Sequence, residues 1–231
     1  MSLRSCVIIP GFNTAGTIGP LVRQIRQLHL DVVVVNDGST DDTAHDATEA
    51  GALVISHLKN QGKGMALRTG FAFALQAGYD AVVTLDSDGQ HDPQDIPQLL
   101  EAAERPHGAI VIGHRVMDDA SMPLLRLWTN RVMSGIVSWL TGQQIPDSQC
   151  GFRVIRRRVL ETIQLSTRRF DGETELLLAA AHDGWAVTSM PIRTIYTKRH
   201  ASHIHPLWDG VRFARLVLKH LLDVSPPRRF R

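Results

Sequence analysis

Apolar residues in this chain fall into short continuous runs separated by longer stretches of helical period. Cys6, Val7, Ile8 and Ile9, then the four valines at 32–35, then 53–56 and 81–85, are β-branched-rich runs too short for helices and read as strands. The runs are apolar throughout, without alternation, as in parallel strands covered on both faces. Between them, Leu21, Ile25 and Leu28 share one face of a helix capped by Thr14 or Thr17. A second helix starts at Thr40 or Asp41 and ends at Gly51, and a third, over 65–76, is apolar on most sides and expected to be buried. Strands alternating with helices at this rhythm predict a Rossmann-like, mostly parallel α/β sheet flanked by helices. The loops at the strands' carboxyl ends, 10–13, 36–40 and 86–92, form the expected ligand crevice.

Beyond Pro93 the pattern is less regular. A helix is expected over 96–103, a strand over 109–112 running into Gly113-His114-Arg115, and a long helix over 122–140 carrying Arg126, Trp128, Arg131 and Trp139. A turn at 147–153 leads into Val154 and Ile155, and a helix starting near Gly172 with Glu173 and Glu175 in its first turn runs to Ala181. Residues 185–190 and 192–196 read as extended. A basic, histidine-rich loop at 198–205 precedes an amphipathic helix over 207–222 and an arginine-rich tail. With no repeat and no linker, 1–231 reads as a single domain with a regular first half, 1–113, and a less regular second half, 114–231. Core packing is the expectation for Trp128 and Trp139, and the run Arg156-Arg157-Arg158 reads as a solvated face.

Composition excludes more than it selects. Hydrophobic residues at 43% and charged residues at 21% describe an ordinary globular chain, and a net charge of +2 gives no argument for nucleic acid as a partner. The charge is uneven: acidic groups concentrate between Asp31 and Asp95, and arginines dominate after Arg105. Cys6 and Cys150 stand alone at no metal or redox spacing, and a reducing cytoplasm is the expected setting. The apolar segment 132–145 is interrupted by polar residues and shorter than the ~20 residues needed to span a bilayer.

The sharpest chemical feature is the stretch from Ala81 to Pro93. Its strand stops at Leu85, and Asp86, Asp88 and Gln90 follow at alternate positions, so an extended backbone aims all three oxygen-bearing groups one way. Two carboxylates about 4 Å apart repel by several kcal/mol at an effective dielectric of about 20, and a bound cation removes that cost. Oxygen donors suit Mg²⁺ or Mn²⁺ better than zinc. A plain polar turn built on Asp88-Gly89 is the competing reading.

Six ordered blocks settle the comparison at the level of family. VIIPGFN at 7–13, VVNDGSTDDT at 34–43, GKGMALRTGFAFA at 62–74, DSDGQH at 86–91, GHR at 113–115 and DSQCGFR at 147–153 resemble the family 2 inverting glycosyltransferases, specifically the polyprenyl-phosphate (dolichol-phosphate) mannosyl- and glucosyltransferase-like branch. The resemblance implies a GT-A fold with a nucleotide-sugar-binding first half and an acceptor second half. It implies that Pro10 and Phe12 line the nucleoside pocket and that Asp37 hydrogen-bonds the base or ribose. Lys63 and Arg68 are implied near the donor phosphates, with Asp86, Asp88 and Gln90 holding Mg²⁺ or Mn²⁺ against the diphosphate. The chain departs from the family pattern at Phe12-Asn13-Thr14, at Asn36 and at Cys150, which bears on donor and acceptor identity.

Residue chemistry then frames the acceptor. Sugar transfer leaves negative charge on the nucleoside diphosphate, which a metal and nearby cations stabilise. A hydroxyl acceptor needs a general base, for which Glu173 and Glu175 are candidates; a phosphate acceptor needs arginines, for which Arg115, Arg126, Arg131 and Arg153 are candidates. Transfer of a hexose from a GDP- or UDP-sugar to a polyprenyl phosphate is the expected reaction, at the cytoplasmic face with peripheral membrane contact. A hydroxyl acceptor or a non-catalytic nucleotide-sugar-binding module is the alternative. A sugar nucleotidyltransferase is disfavoured, because its glycine-rich signature belongs where Pro10-Gly11-Phe12-Asn13 stands.

Overall fold

The four strands read from the first half are present and parallel: β1 (Ser5–Gly11), β2 (Asp31–Asn36), β3 (Leu53–Ser56) and β4 (Ala81–Thr84). The computed structural model describes residues 3–115, 124–163 and 172–195, with 213, 214, 217 and 218. β1 runs through Pro10 to Gly11, past the expected stop. Its pairing with β4 ends at Ile8, while its pairing with β2 continues to Gly11, so the proline sits where only one edge of the strand is paired. All seven β1 residues are buried.

Helices α1 (Ile18–Gln27) and α2 (Thr43–Glu49) pack on each other and on β2. α3 (Lys63–Gln76) packs on β1, β2 and β4. The chain moves outward from β1 to β2 to β3 and then returns to place β4 on the other side of β1. That reversal makes β1 and β4 the switch point of the sheet, where a crevice opens at the strand ends. After a 3-10 turn and α4 (Ile96–Glu104) come β5 (Ile110–Arg115), α5 (Leu124–Thr141), β6 (Arg153–Arg156) and a short α6 (Arg157–Leu160). α7 (Gly172–His182) and β7 (Val187–Ile192) follow. The seven strands lie in the order β3-β2-β1-β4-β6-β5-β7, and β6 alone runs antiparallel to its neighbours. This is a single α/β domain with a mostly parallel sheet.

Several expectations are corrected. Residues 187–192 form one strand that includes Pro191, held parallel to β5. Trp128 and Trp139 are not packed: they are 66% and 75% exposed on α5. The arginine run after Val154 is not merely solvated. Arg156 donates to the Ala103 carbonyl at 2.7 Å, Arg157 to the Leu75 carbonyl and to Glu161, and Arg158 lies over the Trp185 ring. Burial pushes both thiols, Cys6 and Cys150, up to about 12, so neither is poised to react at neutral pH. Phe213, Ala214, Val217 and Leu218 are helical within the expected final helix; the loop at 198–205 and the tail lie outside the described residues. Among the described residues, no helix is long and apolar enough to cross a membrane.

Candidate active site

The crevice at the switch point is built by three loops that tie one another down. Beyond β1, Asn13 takes a left-handed backbone at φ 53°; its N–H donates to Ser39 Oγ and its Oδ1 accepts from the Thr40 N–H. Beyond β2, Asp37 is 3% exposed and turned inward. Its carboxylate accepts from the Gln61 N–H at 2.9 Å, the Gly62 N–H at 2.7 Å and His57 Nδ1 at 2.7 Å. Gly38 has φ +71° and lies against the backbone of Lys59 and Asn60, which leaves no room for a side chain. Asp37 therefore holds the segment that feeds α3. This fastening is a second role for Asp37, beside the contact with base or ribose expected of it.

Lys63, the first residue of α3, reaches across to β4. Its ammonium contacts Asp86 Oδ1 at 2.5 Å and Glu173 Oε1 at 2.7 Å, and its side chain is only 15% exposed. Burial by itself would lower the Lys63 pKa; the two carboxylates outweigh it and hold the pKa above the ordinary lysine range. Asp86 shows the complement. Burial pushes it up, but Lys63 and the neighbouring His91 and Arg115 hold it below the usual carboxylate range. Asp86 rests on Gly151, where a Cβ would stand 2.6 Å from both carboxylate oxygens. Thr84 Oγ donates to the Gly151 carbonyl at 2.7 Å, so the end of β4 and the 147–153 turn are fastened at this contact. Asp88 accepts from the Gln90 N–H at 2.9 Å, closing a turn that keeps both residues beside Asp86.

The donor set at this turn is two carboxylates and one amide. Among the described residues no group of three or more His, Cys, Asp or Glu is arranged around a common point. Asp86, Asp88 and Gln90 remain an all-oxygen set, and the Lys63 ammonium against Asp86 shows that the pocket already demands positive charge. The residues thus fit a hard divalent cation.

The side of the crevice formed by the 147–153 turn is organised by Asp147, which is 1% exposed. Arg115 clamps it through Nε at 2.7 Å and Nη2 at 3.1 Å, and Asn130 Nδ2 adds a third contact at 3.1 Å. Burial would depress Arg115, and the Asp147 hydrogen bonds and charge raise its pKa instead.

A family model described as glycosyl transferase family 2 matches residues 6–164, from β1 through the 147–153 turn and α6. The chain is a family 2 glycosyltransferase. Its relatives include a UDP-N-acetylglucosamine–dolichyl-phosphate N-acetylglucosaminyltransferase of Methanococcus voltae, 30% identical over 83% of this chain and 86% of that one. A polyprenol monophosphomannose synthase of Mycolicibacterium smegmatis is 32% identical over 82% of this chain and 76% of that one. Among solved structures, the Mycobacterium tuberculosis glucosyl-3-phosphoglycerate synthase with Mn²⁺, UDP and glucosyl-3-phosphoglycerate superposes with a TM-score of 0.66. That alignment covers 95% of this chain and 79% of that one at 22% identity, a likeness of fold.

In this glycosyltransferase the sequence-expected residues separate into those that reach the crevice and those that do not. Phe12 stands 46% exposed just past β1, whereas Pro10 is buried inside the strand and presents no open surface. Arg68 is half-buried on α3. Arg131 is exposed on α5, one residue past Asn130. Glu173 joins Lys63 and Asp86. Glu175, two positions along the same helix, points about 200° away from it, so the two glutamates do not converge. Arg153 lies beneath the surface of the turn. It is 1% exposed, and its guanidinium is spent on the carbonyls of Cys150, Glu173 and Ser148, each at 2.7 Å. These three bonds brace the turn and bury the guanidinium beneath it.

The sequence reading missed four contributors. His91 is 5% exposed with Nδ1 unpartnered, its ring 5.6 Å from Phe152; burial lowers its pKa against the charges of Asp86 and Asp88. His57 passes from Asp37 to Thr69 Oγ1 at 2.9 Å. Asp147 and Gly151 complete the set. His91 and Asp147 lay inside the quoted motif blocks, so the signal was present; His57 and the Gly151 contact depend on which loops meet.

Proposed function

We propose that this glycosyltransferase moves a hexose from a GDP- or UDP-sugar to a polyprenyl phosphate, with Mg²⁺ or Mn²⁺ held by Asp86, Asp88 and Gln90. The observation that carries the reading is the meeting of Asp86, Lys63 and Glu173 at the switch point of the sheet, in a chain whose relatives are named for transfer to dolichyl and polyprenyl phosphates. Phe12, exposed at the lip, offers a face against which a nucleoside base stacks. The cation, when bound, supplies charge neutralisation to the departing diphosphate. Lys63 and Arg68 lie on the helix beside it and add positive charge to the same oxygens. The acceptor phosphate is already anionic and needs no base. Arg115 keeps its fork geometry through Asp147 while a guanidinium N–H remains for a phosphate oxygen, and Arg131 is exposed on the adjoining helix.

Trp128 and Trp139 on α5 support peripheral contact with the membrane that carries such a lipid, since indole rings favour the interface. One observation favours a second reading. Glu173 beside Lys63 is the kind of carboxylate a hydroxyl acceptor requires as a base.

Purified protein with Mg²⁺ or Mn²⁺, a panel of GDP- and UDP-hexoses, and either polyprenyl phosphate or soluble hydroxyl acceptors separates these. Lipid-linked product that disappears with Asp88→Ala supports the first. Transfer only to hydroxyl acceptors, lost with Glu173→Gln, replaces it with the second. No turnover with any pair leaves a nucleotide-sugar-binding module.

A further inference from the structure

Lys63 occupies an unusual place. As the first residue of α3, after Gly62 at φ +96°, it stands where the helix dipole disfavours a cation. What keeps it there is a pair of carboxylates far apart in sequence: Asp86, just past β4, and Glu173 at the start of α7. Asp86 is confined on its other side, because its oxygens lie against Gly151 with no space for another side chain. The ammonium therefore occupies coordination space that Asp86 would offer an incoming cation. A lysine is suited to giving that space up: it is a point charge on a flexible four-carbon stem, with three donors that can be redirected without breaking a planar clamp.

We infer that Lys63 is a resident counter-ion that exchanges partners. It neutralises Asp86 and Glu173 before the donor arrives, a divalent cation displaces it from Asp86, and the freed ammonium turns to the diphosphate that enters with the cation. No bond is made or broken in this exchange; only ion pairs change. It couples cation entry to phosphate binding through one side chain. It also explains why a buried cation sits next to a candidate cation site, which would otherwise weaken that site. The inference rests on the proposed metal role of Asp86, Asp88 and Gln90.

The exchange predicts a reversal of sign that a simple phosphate-binding lysine does not. Without nucleotide, Lys63→Met should bind Mn²⁺ about tenfold or more tightly than the parent, because a competing charge is gone. With Mn²⁺ present, the same variant should bind UDP or GDP several-fold more weakly, because a phosphate partner is gone. Electron paramagnetic resonance of free Mn²⁺ reads the first and calorimetry the second, with Lys63→Arg returning both toward the parent. Mn²⁺ binding that is lost in Asp88→Ala but not strengthened in Lys63→Met keeps the metal reading and overturns the exchange. A parent that binds no Mn²⁺, with or without UDP or GDP, overturns both. If Lys63→Met does not fold, reductive methylation of the parent decides. Lys63 should be protected without metal and labelled once Mg²⁺ is added, and equal labelling in both states overturns the exchange.

Discussion

The two sides of the crevice are held together by opposite chemistry. On the side built by the first two strands and their loops, acids and amides accept hydrogen bonds from loop N–H groups: Asp37 from Gln61 and Gly62, Asp41 from Ala15 and Thr43, Asp46 from Gly16, Asn36 from Ser39. On the side built by the 147–153 turn and β6, arginines donate to carbonyls: Arg153 to three of them, Arg156 to Ala103, Arg157 to Leu75. Loops leading into helices present free N–H groups, and acids meet them; the turn at 147–153 presents carbonyls, and a guanidinium fork meets those. Among the described residues, part of the uneven charge along the chain is thus internal scaffolding. Only where the two sides meet does the pattern invert, with a lysine from the acidic half set between an acid of its own half and one of the basic half.

Removing the acid at that meeting point should have the largest effect. Asp86→Ala should lower turnover by about 10²–10³-fold or more while leaving the melting transition near that of the parent. A fold lost along with activity would class Asp86 with the scaffold acids instead. Arg153→Met should act in the opposite way. It strips three buried carbonyls of their donor and should destabilise the protein by roughly 3–5 kcal/mol in urea unfolding, where an exposed arginine such as Arg131 should cost under about 0.5.

Gly151→Ala tests the contact between the sides without touching a charge. The added Cβ must displace the Asp86 carboxylate, and turnover should fall by up to about 10²-fold with only a small change in stability. Asp37→Asn, at the end of β2 alone, should cost about 1–2 kcal/mol in unfolding measurements and weaken nucleotide binding as the 57–62 segment loosens. The smallest effect is in acid. Asp86 and Asp147 are both held below the ordinary carboxylate value of about 4, so their stabilisation is present above that pH and is lost as pH falls through their lowered values. Asp147→Asn should be less stable at pH 7 yet lose less on acidification.

Much of this was legible beforehand where chemistry is local. The valine run at 32–35 and the alternation of short apolar runs with helices led directly to the parallel sheet, whereas residues 87–89 form the competing Asp88-Gly89 turn, with Gly89 at φ 70°, and not the extended backbone that the Asp86–Gln90 spacing suggested. What a linear reading could not supply was which hydrogen-bonding groups would already be taken. Arg153 looks like a ligand in sequence because arginine near a glycine turn suits phosphate; only the folded turn reveals three carbonyls aimed at it. The fastening role of Asp37 was hidden for the same reason, its partners lying 20 to 25 positions away. Trp128 and Trp139 failed differently: helical period says which residues share a face, but not whether anything covers it.

The antiparallel strand β6 has a consequence for how the molecule comes into being. β4 leads directly into Asp86 and Asp88, yet until β6 is made it has β1 on one side and a bare edge on the other. The contact between Thr84 and Gly151 spans 67 positions, so it closes only after the long helix between them has been synthesised. Such distant pairings form late, after the local strand–helix units. During synthesis the first strands and helices can assemble around β1 while the crevice is still unfinished, and its two carboxylates come under Lys63 only when α7 arrives. A ribosome-bound chain stopped after β5 should therefore expose β4 as an unpaired edge, the point at which chaperone capture or misassociation is expected to concentrate.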